Sequence, residues 1–208
     1  MFKLYYSPAA CSQAVHIILH EADIDHESER VDLRAKRTAN GGDYWAINPK
    51  GSVPALDLGH GEILTENAAI LQYLGDLSGS SSLFPPVGEL RRYRVLEWLN
   101  YIATELHKGF GPLWNPTSPE EVKQATRDLL AKKFDYVQAK LGDGPYLMGE
   151  QFTLPDAYLF VILNWTGVHS IELGRWPGLT AFVHSVRERP AVQIVLRAEG
   201  LVEEPVAG

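Results

Sequence analysis

Strand-like and helix-like stretches alternate over the first third of the chain, and helical periodicity alone follows. Phe2-Lys3-Leu4-Tyr5-Tyr6 is a β-prone run closed by Ser7-Pro8. From Ser12 to Asp23 the apolar residues Val15, Ile18, Leu19 and Ala22 recur at i, i+3, i+4 and i+7, which predicts an amphipathic helix packed on a sheet. His26 to Leu33 reads as a second strand, so strand, helix and strand predict a parallel, right-handed βαβ unit. After the polar stretch Arg34 to Asp43, Val53-Pro54-Ala55-Leu56-Asp57 and Glu62-Ile63-Leu64 read as a hairpin turned at Leu58-Gly59-His60-Gly61. Thr65 reads as the cap of a helix carrying Ile70, Leu74 and Leu77 on one face. Residues 1–77 thus spell βαβ, a loop or short helix, then ββα.

Ser78-Gly79-Ser80-Ser81-Ser82, followed by Leu83-Phe84-Pro85-Pro86, is the clearest break, and 78–88 is read as a linker. Residues 89–208 read as an all-helical second domain. Val95, Leu99, Ile102 and Leu106 form one stripe, Ser118-Pro119-Glu120-Glu121 reads as a helix start with a capping box and proline in the first turn, and Thr153-Leu154-Pro155-Asp156 caps an apolar helix through Trp165.

The 208 residues carry 45% hydrophobic and 22% charged side chains, ordinary globular composition long enough to bury a core without disulfides or metal. With 19 basic and 26 acidic residues the net charge is −7, which disfavours phosphate backbones and anionic lipid surfaces, so neither nucleic acid nor membrane is expected as a partner. Arg91-Arg92-Tyr93-Arg94 reads as a solvated or interface helix face. No apolar run approaches the ~20 residues that span a bilayer, the first residues lack the pattern of a signal peptide, and the single cysteine fits a reducing compartment. The expected location is cytoplasmic.

Cys11 falls where the first strand has ended and the first helix begins, facing unpaired N–H groups that favour thiolate; a small buried core thiol is the equal alternative. Val53-Pro54 puts a proline near a strand start, where a cis bond would turn the Val53 backbone outward to pair with an extended peptide. Thr65-Glu66-Asn67 at a helix start suits a carboxylate, with Glu66 placed to accept an ammonium group, or is simply an acidic first turn complementing the helix dipole. Asn100, Thr104 and His107 lie at i, i+4 and i+7, a polar stripe that faces either a cleft or solvent. His16 and His20 share a helix face as metal ligands would, but no third ligand is evident, so core or surface roles are expected and no metal.

Cys11-Ser12, Asn48-Pro49-x-Gly51-x-Val53-Pro54, Thr65-Glu66, Glu97-Trp98-Leu99-Asn100, Leu106-His107-Lys108, Gly149-x-x-x-Thr153-x-x-Asp156 and Ala198-Glu199-Gly200-Leu201 occur in that order. Together they resemble bacterial beta-class cytosolic glutathione transferases over almost the whole chain. The resemblance implies a thioredoxin-like α/β N-terminal domain (1–77) that binds glutathione and an all-α C-terminal domain with the electrophile site. It places Glu66 and Asn67 at the γ-glutamyl end of glutathione, Val53 and Pro54 along its central backbone, and Lys36, Cys11 and His107 near the glycine carboxylate and thiol. Asn100 and Thr104 join the glutathione site, Glu105 contributes across a homodimer interface, and Trp165 and Lys108 line the electrophile pocket. Many members have Ser where this chain has Asn67.

The function so implied is conjugation of reduced glutathione to small hydrophobic electrophiles, with Cys11 able to form a mixed disulfide. The alternatives are a monothiol disulfide oxidoreductase, because Ala14 denies Cys11 a CxxC partner, and a non-catalytic binding protein of the same fold.

Overall fold

The computed structural model describes residues 1–202; residues 203–208 of the expected helical domain lie outside the described residues. The chain packs as two compact units, one formed by Met1–Ser80 together with the chain from Glu188 onward, the other by Ser81–Arg187.

The first unit is built on a mixed five-stranded sheet in the order β3-β2-β1-β4-β5, with β1 Phe2–Tyr6, β2 His26–Asp32, β3 Arg37–Thr38, β4 Ala55–Asp57 and β5 Ile63–Thr65. β1 and β2 are parallel, with Phe2 opposite His26 and Tyr6 opposite Arg30, and α1 (Ser12–Glu21) crosses between them. The expected βαβ-ββα order holds; the two-residue β3, antiparallel to β2, lies in the polar stretch and has no hydrophobic pattern to announce it. Strand alternation divides the core. Tyr5, Val31 and Ala55 cluster with Tyr44, from the one-turn helix α2 (Tyr44–Ile47), and with Val53. Leu4 and Leu56, paired across β1 and β4, point by alternation to the other face, where α1 and α3 (Asn67–Ser78) supply the fully buried Ile17, Ile18, Ile70 and Leu74.

Two helix starts differ from the sequence expectation. Thr65 closes β5, and Glu66, at φ +73°, is the N-cap of α3 without a side-chain capping bond. Pro119 stands at the N-cap position before the first helical turn, so no capping box forms there.

In the second unit α4 (Leu90–Tyr101) runs on as a π-helical segment over Ile102–His107 and a 3-10 turn at Lys108–Phe110, then α5 (Gly111–Trp114). α6 (Glu120–Leu141), α7 (Leu154–Val168) and α8 (Pro177–Arg187) complete it. α7 is buried almost all round, and its start is the capping box expected at Thr153. Asp156, fully buried, accepts the N–H and hydroxyl of Thr153 at 2.8 and 2.7 Å and the N–H of Leu147 at 2.8 Å. α9 (Pro190–Ala198) belongs to the first unit, where its apolar face packs on α1. Among the described residues no helix is long and apolar enough to cross a membrane.

Candidate active site

The loop between β1 and α1 delivers Cys11 to the N-cap of α1, buried, with its Sγ donating to the carbonyl oxygen of Val53 at 3.2 Å. The carbonyl expected to face outward for a peptide is therefore engaged by the thiol in the free protein. Val53-Pro54 is cis, which the sequence left open. The loop bends at Ala9, φ +57°, and Ser12 Oγ bonds the N–H of Ser7. From the far end of the chain, buried Glu199 accepts the N–H of Ala9 at 3.0 Å and the Gln13 amide at 2.9 Å through Oε2, and faces His16 Nδ1 at 3.1 Å through Oε1. A buried carboxylate needs such partners, and these bonds fix the loop on both sides of Cys11.

The segment before Val53 is knit by its own polar groups. Tyr44 Oη and Asn48 Nδ2 both donate to the carbonyl of Ser52, at 2.9 and 2.7 Å, and burial pushes the Tyr44 phenol up to about 12. Gly51 sits at φ +62°, where a Cβ would come within 2.5 Å of the Trp45 ring, so both its backbone angle and its neighbour require glycine. Lys36, itself at φ +55°, donates through Nζ to the Gly51 carbonyl at 2.6 Å and lies over Trp45 at 5.4 Å.

At α3 the Glu66 backbone is in a region that L-residues rarely occupy, a strain that concentrates at ligand sites. Its carboxylate is exposed and paired with Lys50 Nζ, which also bonds Thr65 Oγ1 at 2.9 Å. Asn67 is buried, and neither atom of its side-chain amide touches solvent or has a hydrogen-bond partner. Native proteins rarely leave such groups unmatched. Ahead of it the first-turn N–H groups of α3 have no intrahelical acceptor.

The second unit holds the remaining candidates. His107 Nδ1 lies 2.6 Å from the Tyr158 hydroxyl, with its ring edge-on to buried Trp165 at 5.0 Å. Phe110 and Trp114 flank Trp165 at 5.6 and 5.3 Å, so Trp165 belongs to an aromatic cluster rather than standing alone. Asn100 and Thr104 are exposed but turn back on their own helix, Asn100 Nδ2 to the Leu96 carbonyl and Thr104 Oγ1 to the Asn100 carbonyl, both at 3.0 Å. The π-helical segment adds a residue per turn, so the i, i+4, i+7 line drawn through Asn100, Thr104 and His107 does not hold across it. Glu105 is held by Lys133 at 2.8 Å, whose ammonium keeps the carboxyl below its ordinary range. Lys108 is exposed.

The family model of the glutathione S-transferase N-terminal domain matches residues 9–77, and that of the C-terminal domain matches residues 101–190. The chain belongs to the glutathione S-transferase family. Glutathione S-transferase GstA of Escherichia coli O157:H7 is 50% identical over 199 residues, 96% of this chain and 99% of the other. Two solved structures, a bacterial beta-class glutathione S-transferase from Sphingomonas chungbukensis and a sphingomonad glutathione S-transferase complexed with glutathione, are each 40% identical. Each has a TM-score of 0.92, and the match covers 96% of this chain and 100% of theirs. The expected α/β plus helical transferase fold and beta-class resemblance stand on these matches.

Sequence reasoning about this transferase missed three residues that bond to or hold candidate residues within their own units. Lys50 was read only as part of the Asn48–Pro54 motif, although a lysine three residues before Val53 reaches β5 and the α3 start. Tyr158, which orients His107, is one of many apolar-looking positions in α7. Glu199 stood out only as part of a terminal motif; its burial is invisible without the tertiary packing of α9 on α1.

Proposed function

We propose that this transferase conjugates reduced glutathione to small hydrophobic electrophiles, acting as a cytoplasmic homodimer, with Cys11, Lys36, Val53, Pro54, Glu66 and Asn67 serving glutathione in the first unit. The observation that carries the reading is the contact of Cys11 Sγ with the Val53 carbonyl, which brings the α1 start and the residue assigned to the ligand's backbone within 3.2 Å. The strained Glu66 and the unmatched amide of Asn67 support the same assignment at the γ-glutamyl end.

Glutathione's ammonium pairs with Glu66, displacing or sharing Lys50, and its α-carboxylate takes the free N–H groups of the α3 first turn. The Asn67 amide gains its missing partner by turning toward that carboxylate. Lys36 leaves the Gly51 carbonyl for the glycine carboxylate. The ligand thiolate, favoured by the N–H groups at the α1 start, attacks the electrophilic carbon; a C–S bond forms and the leaving group departs with its electron pair. In the helical unit His107, oriented by Tyr158, is assigned to the thiol, Asn100, Thr104 and Glu105 to glutathione, and Trp165 with Lys108 to the electrophile. Exposed Leu90 and Tyr93, one turn apart on α4 beside Arg91, Arg92 and Arg94, support a second copy as partner, and the lone cysteine supports a reducing location.

A thiol–disulfide activity at the same site is favoured by the buried, substrate-adjacent Cys11. Its thiolate attacks the glutathionyl sulfur of a small mixed disulfide, that S–S bond breaks as the substrate thiolate leaves and the Cys11–glutathione disulfide forms, and a second glutathione thiolate resolves the adduct, freeing Cys11 and releasing oxidised glutathione. Retention on immobilised glutathione, followed by parallel aryl-halide conjugation and disulfide-reduction assays, tests the reading. Retention with conjugation supports it, and retention with disulfide reduction alone assigns the oxidoreductase instead.

A further inference from the structure

Farther along the helix that opens at Cys11, and outside the residues assigned to glutathione, the structure supplies the third ligand that the spacing of His16 and His20 lacks. His16 and His20 lie one turn apart on α1, and His26 opens β2 after the short connection through Asp23, φ +50°. The three imidazoles face one another, with centroids 5.4 Å apart for His16 and His20, 5.6 Å for His16 and His26, and 4.9 Å for His20 and His26. One ring nitrogen from each lies within 4.8 Å of the other two.

The hydrogen bonds fix which nitrogens remain available. His26 Nδ1 lies 2.8 Å from the Ile24 carbonyl, which only accepts, so Nδ1 carries the proton and Nε2 keeps its lone pair. His16 Nδ1 faces the Glu199 carboxylate at 3.1 Å, with the same consequence. Carboxylate and backbone carbonyl are the partners that metal-bound histidines use to set tautomer and ring direction. His16 is buried and held, whereas His20 and His26 are half-buried, leaving a route for an ion.

We propose that His16, His20 and His26 form a binding site for one divalent transition-metal ion of the zinc type, with its fourth position open to water. Three imidazole nitrogens suit zinc and its neighbours in the first row and exclude the oxygen-seeking magnesium and calcium. Tetrahedral zinc at about 2.0–2.1 Å from each nitrogen sets the nitrogens about 3.3 Å apart, so the rings close by at most roughly 1.5 Å, within reach of side-chain rotation at His20 and His26. The bound ion clips the end of α1 to the start of β2.

The test is calorimetric titration of the chelator-stripped full chain with zinc chloride, alongside His20→Asn, His26→Asn and Cys11→Ala. Binding of one ion per chain is expected, weakened at least about 100-fold in each histidine variant and unchanged in Cys11→Ala. Zinc is also expected to raise the thermal midpoint of the wild type but not of His20→Asn. His20 lies outside the proposed glutathione site, so aryl-halide conjugation by His20→Asn in chelator is expected at the wild-type rate. No binding at one ion per chain, or equal affinity in wild type and His20→Asn, overturns the proposal.

Discussion

Cys11 Sγ donates a hydrogen bond to the carbonyl oxygen of Val53, 3.2 Å away across the loop that ends at Pro54. The thiol is thereby aimed at the residue assigned to the ligand's backbone, and a glutathione disulfide docked there presents its sulfur to Cys11. Oxidised glutathione is expected to add one glutathionyl group to the intact protein, faster than to a free cysteine peptide at neutral pH and reversed by excess reduced glutathione. Mass spectrometry reads this directly, because Cys11 is the single cysteine of the sequence. Modification no faster than the peptide returns Cys11 to a packing role.

Lys50 and Glu66 set up a competition. The lysine occupies the carboxylate that the ligand's ammonium needs, and the pair is exposed, so breaking it costs the free protein little. Lys50→Ala is expected to bind glutathione as well as or better than wild type, and Glu66→Ala about tenfold or more weaker, roughly 1.4 kcal/mol. Calorimetry on both variants decides it; weaker binding in Lys50→Ala would make the lysine part of the ligand site.

The unmatched Asn67 amide costs stability while no ligand is bound. Asn67→Ser replaces the two unmatched amide atoms with one hydroxyl short enough to bond the neighbouring backbone and is expected to stabilise the free protein by about 1 kcal/mol, a rise of about 2–4 °C in Tm for a chain of this size. A lower midpoint would mean that the amide has a partner in solution.

Much of this was legible in the chain. The β-prone run Phe2–Tyr6 marks β1 and the Val15, Ile18, Leu19 stripe marks α1, although the fold buries Leu4, Tyr5 and Tyr6 in succession and α1 from Ser12 to Leu19, and Thr153 with Asp156 marks α7 because a capping box is local chemistry. The two-residue β3 and the π-helical turn before His107 were not legible, since both arise where tertiary packing outweighs a weak local pattern. For the same reason Cys11 and Val53 were each visible alone, whereas Glu199, His26 and Tyr158 acquire partners only when distant segments meet.

A pH effect follows from Lys3 and Glu29, paired across the parallel strands β1 and β2. Burial alone would raise the Glu29 carboxyl, but the bonds from Lys3, Thr38 and the Asn40 N–H outweigh it and hold the carboxyl below its ordinary value. A carboxyl lowered in the fold contributes stability above its unfolded value, near 4.5, that is lost as pH falls through the folded value. Thermal midpoints measured from pH 6 to 3 are expected to fall less steeply in Glu29→Gln than in wild type; parallel curves would deny the pair this role.

The central claim is that the first unit's residues hold glutathione for attack on an electrophile. Its most direct measurement is the rate at which the purified protein joins glutathione to chlorodinitrobenzene, as a function of glutathione concentration, for wild type and Glu66→Ala. A saturable rate well above the uncatalysed reaction is expected, with the glutathione KM raised about tenfold or more in the variant. A rate no greater than the uncatalysed reaction, or the same KM in both proteins, would contradict it.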